Sequence, residues 1–151
     1  MNETFDCLLL KNQAGFPLYL CSKELLNRYA ALLKDLDLTY TQYVVMMYFW
    51  EKETSNVKRM SETLLLDPST LTPVLKRLEQ KGYLRRERNA EDERNLTIAL
   101  TEEGLQLQKK AMPIPVSMYH YVGLEDEEFS ELHRLLKKML KNMEESKEKE
   151  G

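Results

Sequence analysis

Cysteine is scarce here: 151 residues hold two, Cys7 and Cys21. Their spacing fits neither a CxxC nor a zinc-ligand pattern, and the only histidines, His120 and His133, have no cysteine near them. No structural metal site is expected. Glycine and proline number five each and are thinly spread, which argues against a long disordered linker and leaves no glycine-rich phosphate cradle. With no nucleophile–base pair either, no enzymatic chemistry and no cofactor are expected. No apolar run nears the ~20 residues that a membrane span needs, so no membrane partner is expected. The acidic, polar start, Met1 to Asp6, lacks the basic segment of an export signal. Cytoplasmic residence is the expectation.

An excess of positive charge is also missing: the formal net charge is −3. The average conceals an asymmetry. From Lys76 to Arg88 there are six basic residues against two acidic, and from Glu125 to Gly151 nine acidic against six basic. A nucleic-acid binder needs a local basic face rather than a basic average.

What is present is mostly helical periodicity, without internal repeats. Leu8 to Leu36 reads as one long helix on Leu9, Phe16, Leu20, Leu26 and Leu33, bent by Pro17. Thr39 or Thr41 caps a second helix carrying Tyr43, Val44, Met47 and Trp50. Val57 to Leu65 is short and amphipathic, with Met60 and Leu64 inward. Asp67 is an N-cap with Pro68 at the first helical position, and the helix runs to Lys81 on Leu71, Val74, Leu75 and Leu78. Gly82 ends it. Pro73 removes one hydrogen bond inside it, so a slight distortion is expected. Tyr83 to Arg88 is extended, Asn89 to Asn95 is polar turn chemistry, and Leu96 to Leu100 alternates as a returning strand. Thr101 opens a further helix, Met112-Pro113-Ile114-Pro115 breaks or bends it, and a last helix spans about Glu125 to Met143.

A short helix, a capped helix and a basic hairpin in succession make a winged helix-turn-helix. The fold class expected is mainly α with a small β-hairpin. Leu66 to Leu84 resembles the recognition helix of the MarR family, Asp92-Glu93-Arg94-Asn95 that family's wing, and Leu100-Thr101-Glu102-Glu103-Gly104 its exit. Asn12-Gln13, Phe16, Tyr19, Ser22, Tyr29 and Leu38-Thr39-Tyr40 resemble the organic-peroxide-sensing, OhrR-like branch. The resemblance implies one domain: residues of about 1–38 and 104–146 as dimerisation helices, about 39–103 as a winged-helix lobe, and 147–151 as a flexible tail. It implies a homodimeric transcriptional repressor bound to a pseudo-palindromic operator in double-stranded DNA, controlled by organic peroxide, oxidation or a small ligand. In that branch a reactive cysteine precedes Phe16; here the position is Gly15. The alternative is a regulator that answers a phenolic or amphipathic effector without redox sensing.

A recognition helix presents its N-terminal residues to base edges in the major groove. Those are Asp67, Pro68, Ser69, Thr70 and Thr72, with Lys76 and Arg77 further along for bases or phosphates. Arg86, Arg88 and Arg94 lie on the hairpin, and Asp92 is placed to orient Arg94, whose tip position suits a narrow minor groove. Alone, Lys76 and Arg77 read equally as a solvated face, and Asp92 with Arg94 as a local turn ion pair. The effector pocket expected comprises Gly15, Phe16, Tyr19, Tyr29, Tyr40, Cys7 and Cys21. The tyrosines fit ordinary dimer-core packing as well as a ligand pocket. Cys7 is expected to be exposed before the first helix, and Cys21 packed within it.

Overall fold

A computed structural model describes residues 3–89 and 92–150, with side chains described for 5–88 and 96–149. The helices are α1 Glu3–Asp6, α2 Gly15–Leu33, α3 Tyr40–Lys52, α4 Val57–Leu64, α5 Pro68–Gln80, α6 Glu102–Ala111, α7 Pro113–Val122 and α8 Asp126–Glu150. The strands are β1 Thr54–Ser55, β2 Leu84–Asn89 and β3 Asp92–Leu100. They form an antiparallel sheet in the order β1-β3-β2. The chain divides into two compact units, Met1–Ile114 and Pro115–Gly151. No helix among the described residues is long and apolar enough to cross a membrane.

The first unit holds the winged helix. Thr39 caps α3 with a full capping box: its hydroxyl accepts from the Gln42 N–H, and the Gln42 side chain accepts from the Thr39 N–H. Tyr43, Val45, Met46, Tyr48 and Phe49 are all buried, so α3 is the central helix of this unit. Met47 is exposed and Val44 half-buried, because a helix covered on nearly every side has no single apolar stripe. Leu71, Leu75 and Leu78 of α5, Met60 of α4 and Ile98 of β3 join it in the core.

The other departures from the sequence reading lie at element ends. Leu8–Leu36 is not one helix. Leu10–Asn12 is a 3-10 turn, α2 begins at Gly15, and Lys34–Leu36 is 3-10 again. Pro17 sits in the first turn of α2, where its missing N–H has no intrahelical partner to lose. Pro113 does the same for α7, a helix the sequence reading merged into its break. Strand β3 begins at Asp92, so the polar Asp92–Asn95 is strand rather than turn; it pairs back to Asn89 after a register shift between Arg88 and Asn89. Ala90 and Glu91 lie outside the described residues. Asp67 stands at the N-cap of α5, but its side chain makes no capping bond, since its own carbonyl takes the Thr70 N–H at 2.9 Å. Asn56, which no pattern singled out, caps α4 through the Arg59 N–H at 2.8 Å.

Helix α5 continues through Pro73 to Gln80 and closes at Gly82, φ +78°, where the Tyr83 N–H reaches the Leu78 carbonyl and the Gly82 N–H the Glu79 carbonyl. This left-handed closure turns the chain into β2. In the second unit, Gly123 at φ +65° turns α7 towards α8, and the Tyr119 hydroxyl donates to Asp126 while its ring lies 5.7 Å from Phe129. Helix α8 runs to Glu150, past Met143, where the sequence reading ended it. Its last turns are rich in strong helix formers, with the Ser146 hydroxyl donating back to the Asn142 carbonyl at 2.9 Å.

Gly104 is the most closely packed of the described glycines. A Cβ there would stand 2.3 Å from the Tyr83 carbonyl oxygen and 2.7 Å from Leu100 Cδ1. Backbone cannot yield as a side-chain tip can, so Gly104→Ala is expected to lower stability by about 2–3 kcal/mol. Thermal denaturation checks this; an unchanged midpoint would mean that α6 does not pack this closely.

Candidate nucleic-acid interface and tyrosine cluster

Helix α5 is strongly two-faced. Leu71, Leu75 and Leu78 are fully buried, whereas Pro68, Ser69, Thr70, Thr72, Pro73, Lys76, Arg77 and Gln80 are exposed. Burial of three leucines contributes several kcal/mol, at about 1.5–3 kcal/mol each, and fixes which face points outward. The Thr72 hydroxyl donates to the Pro68 carbonyl at 2.8 Å, a local bond that ties its side chain along the helix. Pro73, Lys76, Arg77 and Gln80 line an open groove of about 320 Å³ on the outer face. Among the described residues, Lys76 and Arg77 form no ion pair, so both charges face solvent.

The turn into α5 is held from α4: Leu65 is left-handed at φ +54°, and the Ser61 hydroxyl donates to the Leu66 carbonyl at 2.5 Å. At the other end, Arg86 of β2 donates to Glu79 of α5 at 2.6 Å, a contact that no sequence pattern announced. Arg86 is therefore engaged within the chain, and it ties the wing's base to the recognition helix. Arg85 pairs with Glu87 at 2.6 Å and donates to the Leu100 carbonyl at 3.2 Å. Arg88, exposed, lies two residues beyond Arg86 on the same face of β2. The side chains of Asp92 and Arg94 lie outside the described residues.

The residues expected around an effector do not all gather within one chain. Tyr29 and Tyr40 do, with ring centroids 4.7 Å apart, and Tyr43 joins them at 6.1 Å from Tyr29. Tyr43 was readable only as a core position. Tyr19 and Phe16 are exposed on the first half of α2. Cys7 and Cys21 are both exposed and in no disulfide, so Cys21 is not packed as expected: that part of α2 has little of its own unit to lie against. A Cβ on Gly15 would meet nothing within 4 Å, so no steric demand requires glycine there. Among the described residues no group of three His, Cys, Asp or Glu gathers to hold a metal ion.

Known proteins agree with this architecture. The SarA/Rot transcriptional-regulator family matches residues 27–111. The organic hydroperoxide resistance transcriptional regulator of Bacillus subtilis is 42% identical over 95% of this chain and 97% of its own. The SarZ regulator of Staphylococcus aureus (strain MRSA252) is 40% identical over 93% of this chain and 95% of its own. The crystal structure of AbfR of Staphylococcus epidermidis matches with a TM-score of 0.77 at 34% identity, covering 95% of this chain and 99% of that one. AbfR has also been solved reduced and bound to DNA, matching at a TM-score of 0.74 and 36% identity over 89% of this chain and 95% of that one.

Burial pushes the Tyr29, Tyr40 and Tyr43 phenols above the ordinary value of 10.0, and Tyr29 and Tyr43 are raised further by their tyrosine neighbours. A raised folded pKa holds the proton more tightly in the fold. Stability from this cluster is therefore complete below pH 10.0 and declines as pH rises above it. Absorbance titration of phenolate should show these tyrosines ionising after the exposed ones; all tyrosines ionising together would contradict the packing. The cluster, the two-faced α5 and its wing sit in a chain whose family match and relatives are regulators rather than enzymes: it belongs to the SarA/Rot family of transcriptional regulators, on a MarR-type winged-helix fold, and its OhrR-like resemblance is borne out.

Proposed function

We propose that the protein is a homodimeric, sequence-specific DNA-binding repressor that acts in the cytoplasm. The observation that carries the reading is the outer face of α5. A helix locked by three buried leucines turns Pro68, Ser69, Thr70, Thr72, Lys76 and Arg77 outward, beside a strand bearing Arg86 and Arg88. Hydroxyls and a proline ring suit base edges and thymine methyls, and the cations suit phosphates. Asp67 stands at the end that enters the groove, and Asp92 and Arg94 are assigned to the wing tip, with Arg94 in the minor groove.

A second copy is supported by two apolar faces, each within its own unit. Leu8, Leu10, Phe16, Leu18, Tyr19 and Leu20 are exposed near the N-terminus, and Phe129, Leu132, Leu135, Met139, Leu140 and Met143 along α8. So many large apolar side chains exposed on one segment mark an interface. Residues of about 1–38 and 104–146 are thus assigned to dimerisation, and about 39–103 to DNA. The effector site is assigned to Tyr29 and Tyr40, with Gly15, Phe16, Tyr19, Cys7 and Cys21 on the adjoining N-terminal segment.

Duplexes selected from random sequence should converge on a near-palindrome, with affinity falling steeply with salt. Lys76→Ala and Arg77→Ala together should weaken binding and lower the salt slope by about 2–4, since a dimer loses both cations from each of its two copies. An unchanged slope and affinity would remove α5 from the interface. Oxidation control predicts that cumene hydroperoxide lowers the DNA affinity of the native protein and that Cys7→Ser with Cys21→Ser abolishes the effect. No effect on the native protein, or one that survives loss of both thiols, favours a phenolic or amphipathic effector at the tyrosine cluster.

A further inference from the structure

One line of contacts joins the tyrosine cluster to the elements that read DNA, and Trp50 is its middle member. From Tyr40 the rings run to Tyr29 at 4.7 Å, to Tyr43 at 6.1 Å and from Tyr43 to Trp50, edge-on, at 6.1 Å. Tyr43 and Trp50 are seven residues apart on α3, hence on one face two turns apart. The half-buried Trp50 indole then donates its N–H to the Gly104 carbonyl at 2.9 Å, in the first turn of α6. An indole has no other polar group, so this bond is its whole directional tie.

Gly104 belongs to a junction where recognition helix and wing meet. Its N–H reaches the Thr101 hydroxyl at 3.0 Å, and that hydroxyl donates to the Gly82 carbonyl at 2.6 Å, at the close of α5. The Thr101 N–H donates to the Tyr83 carbonyl at 3.1 Å, just before β2. From the same end of α3, the Glu53 carbonyl accepts from the Leu100 N–H of β3 at 2.8 Å. The junction has no slack, because no Cβ fits between Gly104 and Tyr83. Close-packed contacts transmit displacement rather than absorb it.

Resting on the regulator reading above, we infer that Trp50 is a positioning residue that couples the tyrosine cluster to the setting of α5 and the wing. A change at Tyr29 or Tyr40 moves the face of α3 that carries Tyr43 and Trp50. The indole N–H then pulls or releases the first turn of α6, and Thr101 passes this to both DNA-reading elements. Contiguity alone does not establish coupling; a non-additive response does.

The test uses the full-length protein, a duplex it selects from random sequence, and four forms: parent, Tyr40→Ala, Trp50→Phe and the double variant. Trp50→Phe keeps a ring against Tyr43 and deletes the N–H. Tyr40→Ala should shift the DNA Kd about fivefold or more in the parent and less than about twofold in the Trp50→Phe background. The two losses of thermal stability should add, which a merely structural role shared by both residues would not combine with non-additive DNA binding. Independent effects on Kd, or no effect of Tyr40→Ala, would overturn the coupling and leave the regulator reading standing. The chain has one tryptophan, so its emission gives a second readout without altering Trp50. It should shift on DNA binding and again with Tyr40→Ala; an emission unmoved by either would overturn the coupling. A parent that binds no duplex at low salt sinks the regulator reading and this inference with it.

Discussion

What the winged-helix part of this protein turns outward is set by the way α5 is anchored. Three leucines at helical spacing are fully buried, and the chain leaves the helix through a left-handed glycine straight into the wing. The first turn of α6 then closes on that exit so tightly that only glycine fits at position 104. Burial fixes the rotation of α5 about its axis, Gly82 fixes the direction of the following strand, and Gly104 fixes the distance between them. The Glu79–Arg86 pair adds a polar tie across the same corner. Partly exposed ion pairs are worth about 0–1 kcal/mol, so this one orients the wing more than it stabilises it.

Much of this was legible because local signals agreed. Asp67-Pro68 before a 3.6-residue apolar period and Gly82 after it define a helix from both ends, and the alternation of Leu96 to Leu100 defines a strand. The glycine of the Leu100 to Gly104 motif was legible as a motif, but its reason, the close approach to Tyr83, lies in tertiary structure. Prolines were only half legible: the break at Met112-Pro113 is where α6 ends, but Pro113 also begins a further helix, and Pro17 stands in the first turn of α2 rather than in its middle. Strand β1 has two residues, too few for any period to show. Asp92–Asn95 is polar strand, and polar extended segments share their composition with turns.

The candidate effector region shows a different limit. Leu9, Phe16, Leu20 and Leu26 have the periodicity of an internal core, yet all four are exposed within the chain. Periodicity reports that a face will be covered and is silent on whether the same chain or another covers it. Thus Tyr29 and Tyr40 are found together, whereas Tyr19, two turns and more up α2, stands outside their cluster. Tyr43 and Trp50 were legible as apolar positions of α3 but not as partners of Tyr29, because the Tyr29–Tyr43 contact exists only once α2 lies against α3.

The central claim is spatial: the exposed start of α5 enters a DNA groove twice, once from each copy of the chain. Iron-EDTA tethered to a cysteine introduced as Thr70→Cys, in a Cys7→Ser and Cys21→Ser background, measures it directly by cutting DNA where position 70 lies. The account predicts two clusters of cuts, one per half-site, with centres about one helical turn, ~34 Å, apart. Cuts scattered without register along a duplex that the protein demonstrably binds would contradict it.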